Sequence, residues 1–188
     1  LVFRSWIYAG HVSELKEPGD YLLLEIGEDS LIISRDDKGE IHASMNVCRH
    51  RGARVCEEPA GNRKTFVCPY HGWVYNTDGS LRAAREMDML AGFDTASHGL
   101  KQARVVVYQG LVFINCDPNA ADFLGPLKNL DQPLGAYDLP NAKIAHKQTY
   151  TVAANWKLVL ENYLECYHCA TSHRNYARMH TLKDLYHK

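Results

Sequence analysis

Two short segments combine cysteine and histidine in a way that could bind a metal. The first reads Cys48-Arg49-His50, and seventeen residues separate it from the second, Cys68-Pro69-Tyr70-His71. Each segment follows a predicted strand, so two loops are expected to meet at one end of a sheet. Thiolate and imidazole are ligands that hold transition metals. Four of them converging from two loops predict a metal site.

The order of these ligands bears on which metal they would hold. Zinc sites usually pair like with like, as in Cys-x-x-Cys followed by His-x-x-x-His. Here each loop carries one Cys and one His. That order suits a two-iron cluster in which one iron takes both cysteines and the other takes both histidines. A structural zinc knuckle, or four unrelated core residues, remains the alternative.

The arrangement resembles the Rieske family, whose 2Fe–2S centres have Cys-x-His followed by Cys-x-x-His. The resemblance implies that Cys48 and Cys68 hold one iron, and that His50 and His71 hold the other. Replacing two thiolates by neutral imidazoles removes negative charge, which raises the reduction potential of such a cluster.

The residues around these ligands fit the same family. Gly52 and Gly72 would let backbone amides approach the sulfurs closely, and Trp73 would pack beneath the loop and limit water. Rieske proteins of the respiratory cytochrome complexes carry an extra Cys in each loop, joined as a disulfide. Ala53 and Tyr70 stand at the equivalent positions here. The loops therefore resemble those of oxygenases or soluble Rieske ferredoxins.

A second group of possible ligands lies at the end of a predicted helix. Glu165 and His168 are three residues apart and are expected to share a helix face. His168 and His173 are five apart, about 140° around an ideal helix. They could share one ion only if the helix ends or loosens between them. Two histidines and a carboxylate form the facial triad of non-haem Fe(II) oxygenases, although either histidine alone is better explained as an ordinary helix residue.

The stretch NWKLVLENYLECYHCATSH resembles the mononuclear-iron helix of Rieske non-haem iron oxygenase α subunits. The resemblance implies that His168 and His173 are iron ligands. It also implies that Glu165 links this site to the cluster of a neighbouring subunit, and that Asn162 lies near the iron. Both metal sites together would make the protein an enzyme.

The sequence departs from this family pattern in two respects. Most ring-hydroxylating members have Asp where this chain has Glu165, and a Glu there resembles oxygenases acting on carnitine, glycine betaine and proline betaine. The third iron ligand of the family is a carboxylate from far downstream. Asp184 is only eleven residues beyond His173. We therefore expect the third ligand beyond Lys188.

The first 118 residues are predicted to be β-rich, because short apolar, β-branched or aromatic runs recur between turn signals such as Pro59–Asn62. The predicted strands are Trp6–Tyr8, Tyr21–Ile26, Leu31–Ser34, Ile41–Met45, Thr65–Val67, Trp73–Tyr75, Arg104–Tyr108 and Leu111–Asn115. This spacing indicates an antiparallel sandwich or barrel-like module.

The composition changes in the remaining part of the chain. Residues 119–140 carry three prolines among leucines, which is typical of a connector with short helical pieces. Lys143–Val152 could form one more strand. Asn155–Cys169 is predicted to be helical, because its apolar residues recur at three- and four-residue spacing. The predicted fold class is α+β.

The family resemblance implies a division into domains. It gives a Rieske 2Fe–2S domain at residues 1–118, a connector at 119–140, and at 141–188 the first part of a catalytic domain. In the family that domain is a curved antiparallel sheet wrapped around a long helix, so most of it is expected after residue 188.

The composition of the 188 residues excludes several classes of protein. The net charge of −1 offers no basic excess for general nucleic-acid binding. No apolar run approaches the roughly 20 residues of a membrane-spanning helix, and no secretory signal is visible. The six cysteines therefore point to metal chemistry in a reducing compartment, and we expect a cytoplasmic protein. The chain lacks an initiator Met and a closing signal, and we expect it to be cut at both ends.

The resemblance implies an activity and its partners. Electrons from NAD(P)H would pass through a separate reductase to the cluster and then to Fe(II), where O2 would be activated and a C–H bond of a small substrate oxidised. The favoured reaction is N-demethylation of a quaternary ammonium compound, with aromatic-ring dihydroxylation as the alternative. A Rieske electron carrier is the alternative of another class. Glu165 between two metal sites would require head-to-tail packing, most simply a homotrimer.

Overall fold

The computed structural model of the chain describes residues 2–87 and 89–179. It divides into two compact units, Leu1–Ala145 and His146–Lys188. Each unit is described by itself below. Asp184 and Lys188, named above in connection with the third ligand, lie outside the described residues.

The described part of the first unit is built from antiparallel strands. They are β1 Ile7–His11, β2 Asp20–Ile26, β3 Asp29–Arg35, β4 Ile41–Met45, β5 Ala60–Asn62, β6 Thr65–Val67, β7 Val74–Asn76, β8 Leu81–Ala83, β9 Gln102–Tyr108 and β10 Leu111–Asn115. The larger sheet has the order β1-β10-β9-β4-β3-β2-β5, and the smaller one has the order β6-β7-β8. The predicted antiparallel β-rich module is confirmed.

Strand β3 separates two hydrophobic cores. Successive side chains of a strand point to opposite faces, so Ile32 packs into one core while Leu31 and Ile33 pack into the other. The first core also contains Cys48 and Cys68, so both predicted thiol ligands are part of a packed interior. Burial of each large apolar side chain stabilises the fold by roughly 1.5–3 kcal/mol, and this packing fixes the base of the two cluster loops.

All eight predicted strands are present, and β5 and β8 were missed. Ala60–Asn62 was predicted as a break, and this is wrong. Its backbone pairs with the edge of β2, where Tyr21 lies opposite Gly61. The three residues of β5 are exposed and show no alternation of apolar and polar side chains, so no hydrophobic pattern marks the strand.

The residues after β10 contain the predicted short helical pieces. They are a 3-10 helix at Gly125–Leu130, helix α1 at Asp131–Gly135 and a 3-10 helix at Leu139–Asn141. This segment is held on the sheet, because the Trp6 indole N–H donates to Ala121 O at 3.1 Å and the Trp6 ring lies 5.2 Å from that of Phe123. Further along, the Tyr108 hydroxyl donates to Asp131 Oδ1 at 2.7 Å.

The second unit contains helices α2 Trp156–Leu164, α3 Cys169–Ser172 and α4 Arg174–Met179. Helix α2 begins where predicted, because Asn155 Oδ1 accepts the Lys157 N–H at 3.0 Å as an N-cap. The predicted strand at Lys143–Val152 is wrong: these residues are exposed and have no strand pairing within the described chain. Among the described residues, no helix is long and apolar enough to cross a membrane.

Candidate functional site

The two predicted cluster loops repeat the same backbone geometry. The N–H of Cys48 and that of Cys68 each donate to the carbonyl five residues later, both at 2.8 Å. In each loop the glycine four residues after the Cys donates back to the Cys carbonyl, both at 3.0 Å. Gly52 and Gly72 have φ of +75° and +71°, which glycine adopts at little cost. The two hairpins therefore present their side chains in equivalent ways.

The structure brings the four predicted cluster residues together. Cys48 and Cys68 are 3% and 2% exposed, and both belong to the same hydrophobic core. The rings of His50 and His71 lie 4.6 Å apart between centroids. Trp73 is buried and stacks on His50 at 5.0 Å with only 7° between the planes. Thiols lie at the inside of the site and imidazoles at its outside.

The donor atoms fit a bound metal cluster. The Nδ1 atom of His50 is buried and, among the described residues, has no hydrogen-bond partner. A buried nitrogen without a hydrogen-bond partner is unfavourable, and a metal bond would satisfy it. Burial, together with the neighbouring His71 and Arg51, lowers the pKa of His50. A lowered pKa favours the neutral ring, the form that offers a lone pair to a metal.

The surroundings of the cysteine sulfurs also suit a cluster. Burial raises the pKa of the Cys68 thiol, and the Cys48 thiol adds to this, while the backbone N–H groups of Tyr70 and His71 oppose it. Those two N–H groups would stabilise a thiolate bound to iron. Hydrogen bonds to the sulfurs are one of the factors that set the reduction potential of an iron–sulfur cluster.

Tyr75 completes this site and was not identified from the sequence. Its side chain is fully buried, its oxygen lies 3.3 Å from Cys48 Sγ, and it accepts the Arg49 N–H at 3.0 Å. The signal that could have revealed it is the period of β7. Tyr75 stands two residues after Trp73, so the alternation of a strand predicts that both point to the same face, beneath the loops.

The second predicted site forms a cavity of about 940 Å³ in the second unit. Glu165, His168, His173 and Asn162 all line it. The rings of His168 and His173 lie 5.1 Å apart between centroids. His168 Nδ1 contacts Glu165 Oε1 at 2.5 Å, so Nε2 is the nitrogen of that ring left for a metal. The His168 contact holds the pKa of the Glu165 carboxyl below its usual value.

The backbone reaches this arrangement differently from the prediction. The single helix Asn155–Cys169 is wrong, because α2 ends at Leu164 and Glu165 is extended, with φ −98° and ψ 139°. Glu165 and His168 therefore meet across a turn and not on one helix face. The Tyr167 N–H donates to Glu165 Oε2 at 2.6 Å, which stabilises the turn. His168 and His173 can share one ion only if the helix ends between them, and helix α3 does end at Ser172, before His173.

Comparisons with known proteins match two parts of the chain to two families. Residues 5–94 match the Rieske [2Fe-2S] domain family, and residues 139–188 match the ring hydroxylating alpha subunit (catalytic domain) family. The chain is 43% identical over 173 residues to the glycine betaine monooxygenase oxygenase subunit of Pseudomonas aeruginosa (strain UCBPP-PA14), covering 90% of this chain and 39% of that protein.

Two further similarities broaden the picture. The anthranilate 1,2-dioxygenase large subunit of Acinetobacter baylyi (strain ATCC 33305 / BD413 / ADP1) is 42% identical over 188 residues, covering 94% of this chain and 39% of that protein. A solved quaternary ammonium Rieske monooxygenase, described for carnitine oxidation and inter-subunit electron transfer, is 35% identical with a TM-score of 0.83, covering 93% of this chain and 48% of its own. The chain spans about two-fifths of the length of the two curated relatives.

Proposed function

Because this chain belongs to the family of Rieske non-haem iron oxygenase α subunits, we propose that the protein is the oxygenase component of a multicomponent system that oxidises a small organic substrate with O2. The observation that carries the proposal is the His168–His173 pair, with Glu165 in contact, in a chain that also holds the paired cluster loops. A Rieske electron carrier would need the loops alone.

We further propose which residues hold the cofactors. Cys48 and Cys68 bind one iron of a 2Fe–2S cluster, and His50 and His71 bind the other. This assignment is supported by the buried thiols and by the buried Nδ1 of His50, which has no hydrogen-bond partner in the described part of the chain. The cluster supplies single electrons when bound, and a mononuclear iron supplies O2 activation. The third ligand of that iron is expected beyond the described residues.

The mononuclear site is proposed to use His168 and His173, in contact with Glu165. Glu165 accepts a hydrogen bond from the Nδ1–H of His168 and so fixes the tautomer and orientation of that ring, which is the usual role of a carboxylate behind a metal-binding histidine. Asn162 lines the same cavity and offers an amide to substrate or to an iron-bound ligand.

Glu165 is also proposed to reach a cluster histidine of a neighbouring subunit and so to join two metal sites. Such a contact is heterologous, and it closes into a ring when each subunit repeats it. A homotrimer is the simplest ring of this kind. The inter-subunit electron transfer of the solved relative supports this part of the proposal.

The substrate is proposed to be a small quaternary ammonium compound that bears a carboxylate. Glycine betaine and anthranilate, after which the two curated relatives are named, both carry a carboxylate. A Glu at position 165 resembles the oxygenases that act on betaines, and this favours a betaine as the substrate. One oxygen atom enters an N-methyl C–H bond, and the other is reduced to water with two electrons and one proton from NAD(P)H and a second proton from solvent. The resulting hemiaminal breaks its C–N bond and releases formaldehyde. Ring dihydroxylation of an aromatic acid is the second candidate, supported by the 42% identity to the anthranilate enzyme.

The remaining parts of the proposal concern partners and organisation. An NAD(P)H-dependent reductase delivers the electrons. A cytoplasmic location is proposed because cysteines used for metal binding are typical of a reducing compartment. The division into a Rieske domain at 1–118, a connector at 119–140 and a catalytic domain from 141 is supported by family matches that end at residue 94 and begin again at residue 139.

The test is a substrate screen with the full-length protein, a reductase and NAD(P)H. We expect glycine betaine or a related betaine to cause O2 uptake and to release formaldehyde in equal amounts. O2 uptake with an arene, without formaldehyde, would favour the second candidate. Electron acceptance without turnover of any substrate would indicate an electron carrier and would refute the oxygenase proposal.

A further inference from the structure

Arg174 gives the cavity of His168 and His173 a positive charge that the proposed iron site does not use. Among the described residues that line this cavity, Arg174 is the one Lys or Arg and Glu165 is the one Asp or Glu. Both oxygens of Glu165 are engaged, one by His168 Nδ1 and the other by the Tyr167 N–H. No described residue forms a salt bridge with Arg174, so its guanidinium is available to an anion.

Resting on the proposed function, we propose that Arg174 binds the carboxylate of the substrate and so selects betaines and aromatic acids over neutral analogues. The planar guanidinium donates two parallel N–H···O bonds to a carboxylate, a geometry that an ammonium group cannot supply. A carboxylate in the cavity would balance the single unpaired charge of its wall. Recognition of this kind acts on binding as well as on orientation.

The position of Arg174 beside His173 also suits short substrates. In glycine betaine one carbon separates the carboxylate from the ammonium nitrogen, and in anthranilate the carboxylate and amino group occupy neighbouring ring carbons. A carboxylate anchored next to a metal-binding histidine therefore keeps the reacting carbon near that histidine. Tyr163 and Tyr176 line the same cavity, and their ring faces can receive a quaternary ammonium group or stack on an arene.

The experiment uses matched substrate pairs that differ in the carboxylate. Glycine betaine is compared with choline, and anthranilate with aniline, in the full-length iron-loaded protein with its reductase. The variants are Arg174→Gln and Arg174→Lys. Arg178→Gln is the control, because Arg178 lies in the same helix α4 but does not line the cavity. Anaerobic calorimetry measures the affinity for each compound without turnover.

We expect Arg174→Gln to lower kcat/KM for the carboxylate substrate by about 10- to 100-fold, mostly through KM. This is the effect of losing hydrogen bonds to a charged group. The affinity should fall by a similar factor, while values for the neutral partner change little, so that discrimination within the pair collapses. Arg174→Lys should lie between the wild type and Arg174→Gln, and Arg178→Gln should match the wild type.

Three results would overturn the assignment. Equal losses for both members of a pair would make Arg174 a structural residue, and unchanged kinetics would exclude it from substrate binding. Wild-type preference for the neutral member would exclude a carboxylate anchor. In each of these cases turnover of the pair would leave the oxygenase function intact. A wild-type protein that oxidises no member of either pair would instead refute the proposed substrate class, and the role of Arg174 with it.

Discussion

The two histidine-bearing sites differ in how much of their surroundings the described residues supply. Around the cluster loops both cysteines are buried, Trp73 stacks on His50, and Tyr75 is buried beneath the loops. Around the second site Tyr163 is 82% exposed, and Cys169 is the one buried residue among those described in its unit. The first site is held by a packed core, whereas the second is held by a single turn.

This difference shows that the geometry of the cluster loops is fixed by the residues that surround them in the structure. The cluster loops are fixed by two equivalent hairpins and a β-sheet core, so the geometry of their ligands follows from residues on both sides of them in the chain. Helix α2 carries apolar side chains over most of its surface, and a helix of that kind is stable when other elements bury it. The contact of His168 with Glu165 is local, because it is made across a single turn.

The largest expected effect separates the two sites by removing one cluster ligand. Cys68→Ala should abolish the cluster, because one iron would lose one of its two proposed thiolate ligands. Iron and acid-labile sulfide per chain, measured on purified full-length protein, should both fall. Cys56→Ala is the matched control, since Cys56 is also a buried free cysteine of the same core. A cluster that survives Cys68→Ala, or is lost equally in Cys56→Ala, would contradict the ligand assignment.

The second effect tests the contact between Glu165 and His168. Glu165→Gln keeps size and hydrogen-bonding capacity but removes the charge that fixes the histidine. We expect a fully assembled, reducible cluster and electron delivery to the mononuclear iron that is slower by at least about 10- to 100-fold. Single-turnover kinetics with pre-reduced protein measure that step. Product formation at the wild-type rate, or an active enzyme that is strictly monomeric, would remove the bridge from the mechanism.

A smaller effect concerns Tyr75, which is buried beside Cys48 beneath the cluster loops. Tyr75→Phe removes the hydroxyl that lies 3.3 Å from Cys48 Sγ while keeping the ring in the core. Losing a hydrogen bond to a cluster sulfur should lower the reduction potential. If the lost hydrogen bond stabilises the reduced cluster by about 1.4 kcal/mol, the one-electron reduction potential falls by roughly 60 mV. Redox titration followed by EPR measures it, and a potential equal to that of the wild type would exclude the hydroxyl from tuning the cluster.

The smallest effect lies far from either site, in the turn between β3 and β4. Asp36 is buried, which raises its pKa, but His42 at 3.0 Å and the N–H groups of Glu40 and Lys38 outweigh this, so the pKa lies below its usual 3.8. This contribution is present above the usual pKa and is lost as the pH falls through the lowered value. Asp36→Asn should therefore destabilise the fold by about 1–2 kcal/mol at pH 7.

The pH dependence provides the check on that turn. The difference in unfolding free energy between the wild type and Asp36→Asn should begin to shrink as the pH falls below about 4. It should be smallest below the lowered pKa of the folded Asp36, where both side chains are neutral. Asp37→Asn is the control, since Asp37 is exposed. Denaturation midpoints of the wild type and the variants, measured across this pH range, test this prediction. A difference between the wild type and Asp36→Asn that does not change with pH would show that the carboxylate charge does not stabilise the turn.

The sequence predicted those strands in which apolar residues recur between clear turn signals. Ile41–Met45, Thr65–Val67 and Leu111–Asn115 have the predicted bounds, because each shows apolar residues between clear turn signals. The edge strand Ala60–Asn62 could not be predicted, since its pairing with β2 depends on backbone atoms and not on side-chain pattern. Lys143–Val152 has the composition of a strand but no described partner to pair with.

The site was predicted to a similar extent. Ligand spacing identified all four residues that meet in the cluster loops, since the spacing reflects the two hairpins. The turn at Glu165 was missed because the apolar spacing continues through Tyr167, and the side-chain contacts that end the helix at Leu164 leave no period in the sequence. Arg174 was not identified for the same reason: only the fold of α3 and α4 brings it to the cavity.

The most direct test of the central claim, that one chain carries a Rieske cluster and a separate mononuclear iron, is EPR of the reduced full-length protein with its iron and sulfide counted. We expect two irons and two sulfides for the cluster, one further iron, and a Rieske-type signal. In His173→Ala the signal should persist while the further iron is lost. Zinc in place of iron, or a Rieske signal that disappears with His173→Ala, would contradict the account.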